Sequence, residues 1–259
     1  MKQPAVVISN DNENDSVYDT IDAIAKAGFT DVFVQWYNKE WEVSQKQQLE
    51  YARLKGLHVI FAHLGYQNIN DIWLDTETGE QQVQRYCEDI RICKEEGIDL
   101  VVMHLCGRTN PPVYNETGIR HLQKIVDYAE SLDVRVAFEN TKAKGYQEYV
   151  MEHIPNKNAG ICFDAGHYHT HFKDEYDFSV FKNRIFAVHL HDNDQSGDQH
   201  KIPFDGTMDW AYVCEKLKEN GYDGPVTSEQ CYEKEYVTAM TLEEFYRKGY
   251  EACEKLAEM

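Results

Sequence analysis

No run of apolar residues in the 259-residue chain approaches the roughly 18 needed to cross a bilayer. The opening stretch MKQPAVVISNDNEND lacks a basic segment followed by an apolar one, so no secretory signal is expected and the protein reads as cytoplasmic, without a membrane partner. Its seven cysteines are scattered, odd in number and without any Cys-x-x-Cys pair, which argues against a disulfide framework and a zinc ribbon. Reduced, mostly buried thiols are expected. Basic residues are also scarce: 26 Lys and Arg stand against 45 Asp and Glu, a net charge of -19. Nucleic-acid affinity comes largely from Lys and Arg neutralising phosphates, so a DNA or RNA partner is disfavoured. No Pro/Gly/Ser-rich linker, composition shift or low-complexity tract divides the chain. With 42% hydrophobic residues it can bury one large core, and one domain is expected over residues 1–259.

Short β-branched runs alternate with longer amphipathic stretches from end to end. Strand candidates are residues 5–9, 31–37, 58–64, 100–106, 135–140, 159–164, 185–192 and 225–230. Helix candidates include 17–27, 41–54, 80–96, 116–132, 210–220 and 242–258, several ending at Gly28, Gly56, Gly97 or Gly221, where a left-handed cap is expected. Eight βα units close most simply into a (β/α)8 barrel, so the fold class is α/β, a single-domain TIM barrel. The longest irregular pieces, 67–78, 141–147 and 193–209, all follow strands. They would stand over the C-terminal face, where active sites of this architecture are built.

Ligand-type residues fall at or just past the ends of six consecutive strands: His63, His104, Glu139, Asp164 with His167, His189 with His191 and Asp192, and Glu229. The stretch GDQH in the seventh loop adds Asp198 and His200. A lone strand histidine is commonly a hydrogen-bonded core residue, and a lone Glu a buried ion-pair partner. So many at one face need a single cause, and imidazole with carboxylate suits Zn²⁺, Mn²⁺, Co²⁺ or Fe²⁺. His58, His121, His153, His169 and His171 lie off the ligand positions and are assigned no metal role. Arg108, Lys142, Lys144 and Lys201 lie in loops over the same face, where they could hold a small anionic substrate.

The motifs FEN, FDAGH, VHLHDN, DQHKIPFDGTMDW and SEQ, in this order on these strands, resemble those of the xylose-isomerase-like barrel superfamily, over essentially the whole chain. That superfamily contains sugar and sugar-phosphate isomerases and epimerases as well as apurinic-site endonucleases of the endonuclease IV type. The resemblance to its epimerase branch implies one metal held by Glu139, Asp164, His189 and Glu229, with the two glutamates as acid/base pair. The resemblance to the endonuclease branch implies further ions: one on His63, His104 and Glu139, another on His167, Asp198 and His200. Which histidine of VHLHD binds is not settled by parity, since residues two apart on a strand face the same side. The family pattern of an acid three residues after the ligand favours His189, with His191 as fallback. Where the family often has Pro-Gly-x-Gly before its Asp-Trp, this chain reads IPFDGTMDW, and this loop is expected to shape the substrate rim.

The expected activity is isomerisation or epimerisation of a small-molecule sugar or sugar phosphate, dependent on one to three divalent ions, Zn²⁺ or Mn²⁺. The alternatives are a trinuclear-zinc phosphodiesterase or endonuclease-like hydrolase, and a non-catalytic metal-dependent sugar-binding module. The sequence leaves self-association into a homo-oligomer open.

Overall fold

A computed structural model describes residues 1–9, 15–36, 43–107, 109–172 and 175–259. The eight apolar runs become strands β1 (Pro4–Ile8), β2 (Asp31–Trp36), β3 (His58–Leu64), β4 (Leu100–His104), β5 (Arg135–Glu139), β6 (Ala159–Asp164), β7 (Ile185–His189) and β8 (Val226–Ser228). Between and after them lie helices α1 (Val17–Ala27), α2 (Gln45–Leu54), α3 (Glu77–Glu95), α4 (Glu116–Ser131), α5 (Tyr146–His153), α6 (Ala165–His167), α7 (Trp210–Glu219), α8 (Lys234–Val237) and α9 (Leu242–Glu258). Every strand pair is parallel, in the order β7-β6-β5-β4-β3-β2-β1-β8. The barrel closes between β7 and β8 by one bridge, Leu190 with Ser228, in which the Leu190 amide donates to the Thr227 carbonyl at 2.8 Å. The Thr227 hydroxyl adds a bond to the Val188 carbonyl. The architecture is therefore the single-domain (β/α)8 barrel expected from the alternation.

Local chemistry explains the element ends. Ser16 and Thr241 open α1 and α9 with reciprocal capping boxes to Asp19 and Glu244, satisfying amides that the first turn leaves unpaired. Gly28 follows α1 at φ 106°, a backbone region that side chains with a Cβ avoid. Strands β4 and β6 are buried along their whole length, as expected where helices cover one face and the barrel interior the other.

Several boundaries differ from the sequence reading; β4 ends at His104 and β8 at Ser228, both short of the apolar runs, and α3 starts at Glu77, a turn early. The seventh strand ends at His189 rather than Asp192, because the chain then turns to bridge β8 and leaves His191 and Asp192 in the loop. Residues 141–147 are not wholly irregular: Tyr146 and Gln147 open α5, and buried Gln147 donates to the Phe138 carbonyl at 2.7 Å. Within 67–78 a 3₁₀ turn, Ile69–Trp73, buries Ile69, Ile72 and Trp73. Tyr37 and Trp41, read as a strand end and a helix start, lie outside the described residues, and α2 begins after a Ser44 cap. Among the described residues no helix is long and apolar enough to cross a membrane.

Candidate metal centre

The strand ends place the ligand-type side chains. His104, Glu139, Asp164 and His189 are the last residues of β4 to β7, His63 is one short of the end of β3, and Glu229 follows β8 directly. Strand register sets His104 beside Glu139 and Asp164 beside His189. Under them the His189 ring stacks on Phe33, with centroids 5.0 Å apart, so the floor is apolar and buried.

All nine predicted residues come together in one linked cluster. Glu139 Oε2 is 2.9 Å from His63 Nε2 and 3.3 Å from His189 Nδ1, while its Oε1 is 3.5 Å from His104 Nε2 and 3.3 Å from His167 Nδ1. His189 Nδ1 also faces Glu229 Oε2 at 3.5 Å and Asp164 Oδ2 at 3.8 Å. Asp198 stands 3.2 Å from His167 Nε2 and 3.3 Å from His200 Nε2.

Hydrogen-bond directions show what these atoms are arranged for. His63 Nδ1 donates to the Leu64 carbonyl at 3.1 Å, His167 Nδ1 to the Asn140 carbonyl at 2.9 Å, and His200 Nδ1 to the Glu229 carbonyl at 2.8 Å. A carbonyl only accepts, so each of these Nδ1 atoms carries a proton, and what stands between each Nε2 and its facing carboxylate oxygen is either a second ring proton or, in a loaded site, a metal ion. Two acceptors repel unless a cation or proton stands between them. Fixing the metal-binding tautomer through a carbonyl on the other nitrogen is the usual support of a histidine ligand. Metal bonds of 2.0–2.2 Å at tetrahedral angles set ligand atoms about 3.3–3.6 Å apart, the separation of Glu139 from His104 and His189, of Glu229 from His189 and of Asp198 from His200, while His63 and Glu139, at 2.9 Å, stand at direct hydrogen-bond distance. Neither nitrogen of fully buried His189 makes a well-aligned hydrogen bond, although three carboxylate oxygens lie within 3.8 Å of Nδ1 and the Cys162 thiol borders the ring. The donor set therefore fits a divalent ion.

The electrostatics point the same way. Burial alone would raise Glu139, yet His104 and His189 beside it hold its carboxyl well below the ordinary value. Asp164 and Asp198 are likewise penalised by burial and still held low, Asp164 by His167 and His191, Asp198 by His167 and His200. Burial opposes the charged forms of His167, His189 and His200, and neighbouring acidic groups more than compensate, holding all three well above the usual imidazole value. The cavity thus favours positive charge at its centre.

Some site residues escaped the sequence reading. Asn140 braces Asp164 reciprocally: its Nδ2 donates to the Asp164 carbonyl and its Oδ1 accepts from the Asp164 amide, each at 2.8 Å. Its place directly after Glu139 in FEN was the available signal. Tyr66 stacks on His104, with centroids 4.4 Å apart at 7°; nothing in the sequence marked it. Asp192 faces no histidine and instead accepts from the amides of Asn193, Phe204 and Met208 and from Trp210 Nε1, all at 2.8–3.1 Å, pinning the seventh loop. Gly206 lies so close to Asp192 and to the Asn193 backbone that a Cβ there would collide with both. Asp205 of the IPFDGTMDW stretch pairs with Lys248 of α9 at 2.6 Å, tying that loop to a helix.

His58 pairs with Asp31 at the strand starts, and His121 and His153 bond to backbone carbonyls from α4 and α5. His169 bonds Thr207 at 2.9 Å. Of the loop cations, Lys144 pairs with Glu175 and Lys201 with Asp194, while Lys142 lines a cavity of about 140 Å³ with Thr141, His171, His104, His167 and Asp198. Arg108 lies outside the described residues. A second cavity, of about 220 Å³, opens over the cluster between Gln35, Tyr66, Glu139, Glu229, Cys231 and Glu233.

Comparison with known proteins agrees with the barrel fold. An uncharacterized protein, MJ1311, of Methanocaldococcus jannaschii is 33% identical over 120 residues, which is 42% of this chain and 41% of that protein's length. D-psicose 3-epimerase from Clostridium cellulolyticum H10, solved with D-tagatose, superposes with a TM-score of 0.77 at 13% identity over 99% of this chain and 98% of that one. The IolI protein, solved with a zinc atom, gives a TM-score of 0.77 at 16% identity over the same shares. At these identities the likeness to solved structures is one of fold. The sequence model of the xylose isomerase-like TIM barrel matches residues 21–256, and the chain belongs to that family.

Proposed function

We propose that the protein is a divalent-metal-dependent isomerase or epimerase of a sugar or sugar phosphate, using one to three Zn²⁺ or Mn²⁺ ions. The observation that carries this reading is the set of histidines His63, His167 and His200, each donating Nδ1–H to a backbone carbonyl and aiming Nε2 at a carboxylate. Glu139, Asp164, His189 and Glu229 would hold the principal ion; His63 and His104, then His167, Asp198 and His200, extend the set. When bound, the ion supplies Lewis acidity to the substrate carbonyl and the neighbouring hydroxyl while a proton leaves the adjacent carbon.

Glu139 and Glu229 act as the acid/base pair. Both line the 220 Å³ cavity, from β5 and from the end of β8, with β6 and β7 between them round the barrel. They therefore reach a bound sugar from different sides, as proton removal on one side and return on the other requires. The cavity is smaller than the roughly 300–1,000 Å³ of drug-sized sites, which suits a small polar substrate. That structures of this fold include a sugar 3-epimerase and a zinc-containing protein supports the assignment. Free thiols at all seven cysteines support a cytoplasmic location.

A second reading, phosphodiester hydrolysis, is favoured by the complete nine-donor set. The net charge of -19 opposes it for a nucleic-acid substrate. One experiment decides: the purified protein is assayed for metal by elemental analysis, then incubated with a panel of ketoses and their phosphates and with duplex carrying an abasic site. The proposal predicts one to three ions per chain, an epimer or isomer from one sugar, and uncut DNA. Absence of metal before and after reconstitution removes the proposal, and efficient DNA cleavage replaces it with the second reading.

A further inference from the structure

His191 is a tenth ligand-type side chain in the cluster. It is fully buried, and its Nε2 lies 3.2 Å from Asp164 Oδ2, 3.9 Å from Asp198 Oδ1 and 4.0 Å from Glu229 Oε2. Its ring stacks on that of His200, with centroids 4.0 Å apart at 8°. Ligand atoms of His191, Asp198 and His200 all fall within 4.8 Å of one another. Its other face lies against Gly166, where any Cβ would collide with the ring. Nδ1 has no partner, so this packing, rather than hydrogen bonds on the protein side, locates the ring.

The pattern repeats the one round His189. That residue sends Nδ1 into a triangle of Glu139, Asp164 and Glu229 oxygens; His191, two residues on, sends Nε2 into a triangle of Asp164, Asp198 and Glu229 oxygens. Asp164 Oδ2 and Glu229 Oε2 belong to both. We propose that His191 is a metal ligand in its own right, joining the divalent ion that the reading above gives to His167, Asp198 and His200, with the Asp164 and Glu229 carboxylates shared between that ion and the one on His189. The inference rests on the metal-dependent reading above and deepens it: both histidines of the His-x-His pair bind, each to its own ion, and the two ions share carboxylates. Bridging carboxylates of this kind bring two ions close enough to act on one substrate.

The test is metal binding. Metal-free wild type, His191→Ala and His191→Phe are titrated with Zn²⁺ and with Co²⁺, following bound ions by elemental analysis after desalting, Co²⁺ absorption, and the thermal midpoint with and without metal. Phe keeps a ring in the slot between Gly166 and His200 but offers no nitrogen. The midpoint in chelator reports the packing defect of each variant alone, and the rise on adding metal reports binding. Wild type is expected to take up at least two ions; both variants bind one fewer, with that ion weakened by more than the roughly 100-fold typical of losing an outer-shell partner, and show a smaller metal-induced rise. Equal stoichiometry and equal rise in wild type and both variants overturn the role of His191, as does a wild type that binds one ion only. A wild type that binds none overturns the metal-dependent reading and this proposal with it.

Discussion

At the scale of single residues, the account assigns Glu229 two tasks, holding an ion through Oε2 near His189 and His200 and moving a proton. The substitution Glu229→Gln separates them, since the amide keeps the volume and one oxygen donor but loses the basic carboxylate. With metal saturating, Glu139, Asp164 and His189 retain the ion, and proton exchange at the carbon next to the carbonyl falls about 10²- to 10⁴-fold. Exchange at the wild-type rate would make Glu229 a ligand alone. Six of the clustered side chains, His63, His104, Glu139, Asp164, His189 and Glu229, were legible because they stand at or directly after strand ends, where the period of two and the barrel geometry fix direction, whereas His167, Asp198 and His200 were picked out by the motifs FDAGH and GDQH. Tyr66 could not be read, because its position depends on a ring stacking across a loop onto His104. The separate surroundings of His189 and His191 were equally hidden, since parity gives both the same face and only three-dimensional placement gives them different carboxylates.

At the scale of elements, the seventh loop depends on Asp192. Its carboxylate accepts from the Asn193, Phe204 and Met208 amides and the Trp210 indole, so Asp192→Ala leaves four donors unpaired, three of them buried. The expected loss is about 3 kcal/mol, a fall of roughly 6–12 °C in the melting midpoint; a fall under about 2 °C would show that the loop stands without this anchor. Helix α3 carries a pH-dependent liability. Burial pushes the Asp89 carboxyl up to about 6, with Arg85 opposing. A folded value above the unfolded value of about 4 means that the folded chain holds an extra proton between these pH values, and stability falls as pH rises through 6. Asp89→Asn, neutral throughout, should therefore be more stable than wild type at pH 7.5, by on the order of 1–3 kcal/mol, with that advantage gone near pH 3, roughly a unit below the unfolded value. A difference independent of pH, read from denaturant midpoints at both values, would contradict this. Helices α1 and α9 were legible to the residue because caps and apolar stripes coincide at their ends. The start of α5 was not: Gly145 and the polar Gln147 read as loop, and only the buried bonds of Gln147 to the Phe138 and Cys162 carbonyls reveal a helix packed on β5 and β6.

At the scale of the whole molecule, strands β3 to β8 and the seventh loop deliver four carboxylates and six histidines to one end of a barrel whose floor is aromatic and buried. In such surroundings charges interact far more strongly than in water; the histidines beside the carboxylates offset that acidity, and in the proposed reading a divalent ion would take over the task. The alternation of strands and helices made the architecture legible, whereas the closing bridge at Leu190 and Ser228, one residue pair between two short strands, carries no sequence signal. The net charge of -19 suits a small substrate better than a nucleic acid. The central claim is that this cluster, loaded with a divalent ion, removes a proton beside a carbonyl. It is tested most directly by following deuterium uptake from D₂O into a panel of ketoses and ketose phosphates, using wild-type protein with metal and after chelation. The account predicts that one substrate class exchanges the proton on the carbon next to its carbonyl, that chelation abolishes the exchange, and that Zn²⁺ or Mn²⁺ restores it; exchange that persists unchanged in the metal-free protein, or its absence from every substrate in the panel, would contradict it.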